Sequence, residues 1–290
     1  MSAASFQSVL YASGPADWRA PAFFHALRLA LSWRAELTLL LAQEGPETDD
    51  EATPRSPVRE TLERWTSGPE RDSIPVDEAA EGVEGARVLV TGGSPLEAAV
   101  RYLERHPADL LVVPPALSLS GARWSRTSLM GSKGRRAATR TLFVGERGFV
   151  DPETGALRLR HLLVPIASVP EPEIAVEAVE SLLHGLGQEP ETASLLWVGE
   201  RSRMPRVDPR TEGGWGWRRI ARPGRVAEEI LRAASAVGAD LIALATPETQ
   251  GPLALLTRSD TRRVLREARC PVLAVPGAER AAARPTAGVW

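Results

Sequence analysis

The residues that could do chemistry fall in a few places. The densest is the stretch 121–140, which carries Arg123, Arg126, Lys133, Arg135, Arg136 and Arg140 and no acid. It includes Gly131-Ser132-Lys133-Gly134. Small residues beside cations leave backbone N–H groups free, so this stretch suits an anion, a nucleotide or a phosphorylated partner. The same composition suits a solvated helix face that balances acids elsewhere in the chain. A second place is Trp215-Gly216-Trp217-Arg218-Arg219. Two aromatics beside glycine and arginine make either a binding hot spot or a cover for an exposed sheet edge. Cys270 stands just before an apolar run and reads as a small buried hydrophobe rather than a reactive thiol. His25, His106, His161 and His184 lack the spacing of metal ligands, and one cysteine allows no multi-thiolate site, so no metal is expected. His25 and His184 lie in helical stretches, where surface or satisfied core positions account for them. No Ser/His/Asp, Cys/His or paired-carboxylate arrangement can be assembled, so no catalytic residue is assigned.

Composition sets the wider bounds. The chain has 290 residues, with 35 Lys+Arg against 37 Asp+Glu and a formal net charge of −2. That balance argues against generic nucleic-acid binding, which relies on excess positive charge to displace counterions. A hydrophobic content of 43% is enough for buried cores. The opening MSAASFQSVLYASG has no basic segment followed by a long apolar one, so no signal peptide is read there. The strongest apolar runs, Leu37–Ala42 and Leu110–Leu119, fall far short of the ~20 residues that span a bilayer. A cytoplasmic location is therefore expected.

The elements that must position these residues come in two sets. Gly93-Ser-Pro-Leu-Glu-Ala-Ala-Val and Gly224-Arg-Val-Ala-Glu-Glu-Ile-Leu stand 131 residues apart. Ala108-Asp109-Leu110 and Ala239-Asp240-Leu241 follow at the same offset, as do Leu142 and Leu273. Val9-Leu10-Tyr11-Ala12 matches Leu162-Leu163-Val164-Pro165 at an offset of 153, so the first copy is the longer before Gly93. The extra length falls in 44–85, an acid- and proline-rich insertion expected to be solvated and partly mobile, with one helix around Val58–Trp65. Each copy alternates short apolar runs without period-two patterning and amphipathic helical stretches, which predicts parallel strands covered on both faces. Ser94, Pro95 and Glu97 form a capping box at the start of a helix over 94–106. Ile174, Ala175, Ala178, Val179, Leu182 and Leu183 form the stripe of another, which Gly185 or Gly187 can end. The predicted domains are 1–145 and 160–279, joined by a hairpin linker at 146–159 with its turn at Asp151–Gly155, and followed by a flexible tail at 280–290.

The repeated unit resembles the universal stress protein family. The resemblance rests on Leu163-Val164-Pro165, on Gly224 followed by Ala239-Asp240-Leu241-Ile242, and on Arg269-Cys270-Pro271-Val272-Leu273-Ala274-Val275. It implies two tandem doubly wound α/β domains of Rossmann-like type. Each would have a five-stranded parallel sheet, and the two would pair about a pseudo-twofold axis into an intramolecular pseudo-dimer. The closing strands near Leu142–Val144 and Leu273–Val275 are the implied pairing edges, and further homodimerisation is compatible with this.

Many members of that family bind ATP through an acid ending the first strand and a Gly-x2-Gly-x9-Gly-Ser/Thr loop after the fourth. Here Gly14 and Ala167 stand at the acid's place. Pro114 and Ala245 replace the first glycine, Leu117 and Glu248 the second, and Thr127 and Arg258 the third. The hydroxyl remains as Ser128 and Ser259, and Gly251 survives as an accessory glycine. A carboxylate at Glu248 repels a triphosphate, unless Arg258 pairs with it, and Pro114-Pro115 removes two donors where donors are needed. The vestigial nucleotide loops therefore comprise Ser128, Gly131 and Ser132 in one copy and Gly251, Arg258 and Ser259 in the other. Arg123, Arg126, Lys133 and Arg135 are the anion-binding candidates, and Trp215 and Trp217 the interaction candidates.

The resulting expectation is a stress-response binding protein with degenerate ATP sites, no cofactor, no catalysis and an unidentified protein partner. One alternative is a nucleotide- or anion-dependent sensor, or weak ATPase, using a modified site in the first domain. Another follows from Ser13-Gly14-Pro15-Ala16-Asp17, which resembles the Ser-Gly-Gly-x-Asp-Ser loop of ATP pyrophosphatases and implies an enzyme using Ser13 and Asp17. Pro15 removes one of that loop's donors and Trp18 replaces its last serine.

Overall fold

Leucine-, valine- and isoleucine-rich runs with no polar alternation have no face to give to water, so both faces must be covered by helices. The computed structural model describes residues 6–14, 18–43, 55–68, 86–92, 94–114, 139–209, 215–247 and 259–277. Within them the strands are β1 (Ser8–Ser13), β2 (Glu36–Gln43), β3 (Arg87–Gly92), β4 (Leu110–Val113) and β5 (Arg140–Phe143), then β6 (His161–Ile166), β7 (Thr192–Val198), β8 (Trp217–Arg222), β9 (Leu241–Pro247) and β10 (Val272–Gly277). They form one ten-stranded sheet in the order β3-β2-β1-β4-β5-β10-β9-β6-β7-β8. Every neighbouring pair is parallel except β5 and β10, which run antiparallel with Leu142 opposite Leu273. Each half thus has five parallel strands in the same order, and the two halves run in opposite senses.

The helices are α1 (Pro21–Trp33), α2 (Arg55–Thr66), α3 (Pro95–Leu103), α4 (Glu173–Leu186), α5 (Val226–Val237) and α6 (Ser259–Glu267). Alternate strand residues feed two cores. Val9 and Tyr11 of β1 join α1, α2 and α4 on one face, and Leu10 and Ala12 join α3, α5 and α6 on the other. The N-cap half of the capping box is in place: Ser94 Oγ accepts from the Glu97 N–H at 3.3 Å. The helix behind it is shorter than the periodicity over 94–106 predicts. The His106 N–H still bonds Tyr102 O, but the Arg105 N–H bonds the same carbonyl as a tighter turn, and Pro107 ends the run. α4 stops at Gly187, whose φ of +60° suits a glycine C-cap.

Of the insertion, residues 55–68 are described; they hold the helix expected around Val58–Trp65, and that helix is packed on the core rather than solvated. Val58, Leu62 and Trp65 recur on one face of α2 and are buried in the first core. Trp65 Nε1 donates to Pro152 O at 3.0 Å, and its ring lies 6.3 Å from that of Phe24. The acids flanking this helix dominate the composition and obscure its apolar stripe.

Candidate functional site

In open parallel sheets ligands bind beyond the carboxyl ends of the strands, where the chain's winding reverses. With this strand order the reversals lie between β1 and β4 in the first half and between β6 and β9 in the second. Among the described residues, the strand ends bordering these crevices are Ser13, Gly14, Val113 and Pro114, and then Ile166, Ala167 and Thr246. None of these is ionisable. Ser13 is buried, and the Thr246 hydroxyl donates to Val275 O at 3.3 Å.

The second crevice has a further feature. The loop leaving β6 runs through Val169, which is 76% exposed, to Pro170. A Cβ built on Gly277 would fall 2.6 Å from Pro170 Cβ, so Pro170 sits directly on the end of β10. Because β9 lies between β6 and β10, this loop passes over the end of β9. Glycine at 277 is what lets it come so close.

The strand starts are held by the aspartates of the repeated Ala-Asp-Leu blocks. Asp109 Oδ2 accepts from the N–H groups of Gln7 and Ser8 at 2.8 and 3.0 Å, and from Ser8 Oγ at 3.0 Å. Asp240 Oδ2 accepts from the N–H groups of Arg160 and His161 at 2.8 and 2.9 Å. Each aspartate therefore ties the start of its half's fourth strand to that of its first. Burial lowers Arg140, with the Asp109 charge partly offsetting it. At Cys270, burial and then the Asp240 charge push the thiol up to about 12. Its side chain is half-buried, short of the fully buried position that its setting before an apolar strand suggests.

His25 had no assigned partner in the sequence, and the structure gives it three. The ring is fully buried, Nδ1 lies 2.7 Å from Pro21 O, and Nε2 accepts from the Phe149 and Val150 N–H groups at 2.9 and 3.2 Å. An Nε2 that accepts twice carries no proton, so the imidazole is neutral with its proton on Nδ1. Burial pushes its pKa down to about 4, against the raising effect of the Pro21 carbonyl. Arg28, one turn on, donates to Gly155 O at 2.8 Å and is itself brought down to about 10 by burial. Both side chains hold the segment joining the halves. That segment is a hairpin, with an antiparallel bridge between Val150 and Leu157. Asp151 Oδ1 accepts from the Glu153 and Thr154 N–H groups in its turn.

Trp215 and Trp217 lie at the outer edge of the second half. Their rings are 5.5 Å apart at 50°, both are half-buried, and both pack on the first core. Trp217 Nε1 is buried with no hydrogen-bond partner among the described residues. The 3-10 turn at Arg201–Arg203 is the only helical piece described between β7 and β8, where the first half has α2. The two tryptophans, with Met204 and Val207, cover that side of the core instead. Arg123, Arg126, Ser128, Gly131, Ser132, Lys133 and Arg135 lie outside the described residues, as do Asp17, Glu248, Gly251 and Arg258. Ser259 opens α6.

No group of three or more metal-ligating side chains is found among the described residues, and no described helix is long and apolar enough to cross a membrane. The sequence model of the Universal stress protein family matches twice, over residues 5–115 and 166–276. No curated protein matches. Among solved structures, a universal stress protein from Archaeoglobus fulgidus DSM 4304 is similar at 12% identity and a TM-score of 0.54, covering 96% of this chain and 99% of that one. A functionally unknown protein from Pseudomonas aeruginosa PAO1 is similar at 12% identity and a TM-score of 0.55, with 94% and 93% covered. At such identities these two show the shared fold.

Proposed function

The chain belongs to the universal stress protein family, and from that membership we propose that it acts by binding a protein partner rather than by turning over a nucleotide. The observation that carries this reading is the chemistry of the two crevices. Their described strand ends hold no ionisable side chain, and Pro170 is packed on Gly277 across the end of β9. A triphosphate needs converging donors and cations, or a backbone able to close on it at a helix N-terminus. Pro114 removes one such donor from the first crevice. Both ATP sites are on this reading degenerate, and no cofactor is required. The antiparallel join of β5 and β10 supports an intramolecular pseudo-dimer of two domains, 1–145 and 160–279, and the place of action is the cytoplasm.

The test is a calorimetric titration of the full chain with ATP, AMP and cyclic AMP in the presence of magnesium, with phosphate release followed in parallel. No binding in the micromolar range and no release are expected. Micromolar ATP affinity that disappears in Ser128→Ala would overturn the reading. It would favour a second one, a nucleotide- or anion-dependent sensor in the first half, for which the acid-free basic stretch 121–140 is the supporting observation.

A further inference from the structure

β8 is the last strand at one end of the sheet, with β7 on one side and no described strand on the other. The Gly199 N–H donates to Arg222 O at 2.8 Å, so the backbone of Arg222 faces β7. The N–H and C=O of one strand residue point the same way and alternate along the strand, so Arg218 and Ile220 face β7 as well. Trp217, Arg219 and Ala221 therefore turn their backbone groups outward, and no described group bonds them. Pro223 follows without an N–H and ends this open ladder. Side chains alternate across the same strand. Ile220 packs on the second core and Trp217 on the first. Arg218 and Arg222 thus flank Ile220 on one face, and Arg219 and Ala221 share the other with Trp217. Arg219 is occupied, since its Nη2 donates to Val207 O at 2.6 Å. Arg218 is exposed, Arg222 is half-buried, and neither makes an ion pair with a described residue. Their Cα atoms stand about 13 Å apart at ~3.3 Å per residue.

We propose that this edge binds an extended acidic segment of a partner protein, added to the sheet as a further strand beside β8. This rests on the reading above that the chain works by binding a protein. Period-two alternation fixes what the segment must carry. A carboxylate opposite Arg218 and another opposite Arg222 enclose an apolar residue opposite Ile220, whichever way the added strand runs. The recognised pattern is thus acid-x-apolar-x-acid. Backbone hydrogen bonds to Trp217, Arg219 and Ala221 supply the affinity, and the two guanidinium groups select the acids. Neither edge of a second copy offers that pattern. Its β8 would set arginines against arginines, and its β3, Arg87-Val-Leu-Val-Thr-Gly, holds an arginine and no acid. A nucleic acid has no alternating N–H and C=O groups to extend the ladder, and the net charge of −2 works against it.

Fluorescence anisotropy of a labelled peptide, Gly-Thr-Glu-Thr-Val-Thr-Glu-Thr-Gly, titrated with the full chain at about 50 mM salt tests this. Saturable micromolar binding is expected, at least ~10-fold tighter than for the same peptide with lysine in place of both glutamates. Arg218→Glu/Arg222→Glu is expected to reverse that preference with unchanged circular dichroism. Ala221→Pro removes an outward N–H and leaves the bonds to β7 in place, so it should weaken the acidic peptide at least ~10-fold with both arginines present. A fully N-methylated peptide keeps both carboxylates but cannot extend the ladder, and no binding is expected. Failure of the acidic peptide to bind overturns the proposal, as does equal binding of the acidic and basic peptides or full binding of the N-methylated one. None of these results bears on the nucleotide titration, so the two readings fail separately. Arginines at an edge can instead serve to keep other strands away. Self-association of Arg218→Gln/Arg222→Gln, with no peptide bound by the unaltered chain, would indicate that role and refute ours. A single-stranded oligonucleotide bound more tightly than the peptide, and released in Arg218→Glu/Arg222→Glu, would refute it equally.

Discussion

The neutral imidazole of His25 makes a specific demand on pH. Its Nε2 is the acceptor for two backbone N–H groups of the joining hairpin, and protonation removes that acceptor inside a fully buried site. The folded pKa is about 4 against 6.5 for an exposed histidine. Between those values the unfolded chain binds the proton and the folded one does not, so stability falls as the pH drops from 6.5 towards 4. Above 6.5 the contribution is complete, and below 4 nothing further is lost. A full shift of this size corresponds to about 3 kcal/mol, of which about 2 kcal/mol is lost between pH 7.5 and 5.0. The assay is urea unfolding followed by tryptophan fluorescence at those two pH values, for the unaltered chain and for His25→Gln. Glutamine keeps an acceptor oxygen but does not titrate in this range. His25→Gln is expected to be less stable at pH 7.5, because it leaves at least one hairpin N–H poorly paired, and to lose about 2 kcal/mol less on acidification. Equal losses for the two proteins would refute the assignment of a neutral, doubly accepting imidazole.

Three further outcomes follow from packing and burial. Trp65→Ala removes a fully buried indole that joins α2 to α1 and to the hairpin, and should lower stability by about 3–5 kcal/mol in thermal unfolding; a change below about 1 kcal/mol would mean that α2 does not belong to the core. Gly185→Ala places a Cβ 2.6 Å from Trp33 Nε1, and that ring is stacked on Phe6 at 4.0 Å and cannot easily retreat. Overpacking of about 1–3 kcal/mol then outweighs the helix-propensity gain of up to ~1 kcal/mol, and a raised melting temperature would contradict the contact between α1 and α4. The Cys270 thiol, half-buried and raised to about 12, should react with a disulfide reagent at pH 8 at least ~10-fold more slowly in the folded chain than in urea, and equal rates would contradict the raised value.

What could be read from the sequence is what local chemistry decides. Ser94, Pro95 and Glu97 specify a helix start by themselves, and apolar runs such as Leu110–Val113 specify strands because no other use of them satisfies both faces. The offset of 131 between Asp109 and Asp240 pointed to one shared role. Its nature, a carboxylate tying two strand starts together, needed the third dimension. The stripe Val58, Leu62, Trp65 was equally visible and was outweighed by the acids around it. In the crevices, the missing acid and glycines were legible because they are absences from a linear pattern. The path of Pro170 over β9 was not, since it depends on Gly277, more than a hundred residues away. His25 marks the limit most clearly. Its partners at Phe149 and Val150 carry no recognisable motif, being backbone groups. Yet Pro-Ala-Phe-Phe-His-Ala-Leu-Arg-Leu-Ala-Leu has no solvent face, and Ala22 to Leu31 are all buried. A helix with that composition has to be covered all round, so its sequence already required more cover than one sheet provides. The hairpin, α2 and α4 meet that requirement, and the polar groups of His25 and Arg28 fix where the hairpin sits.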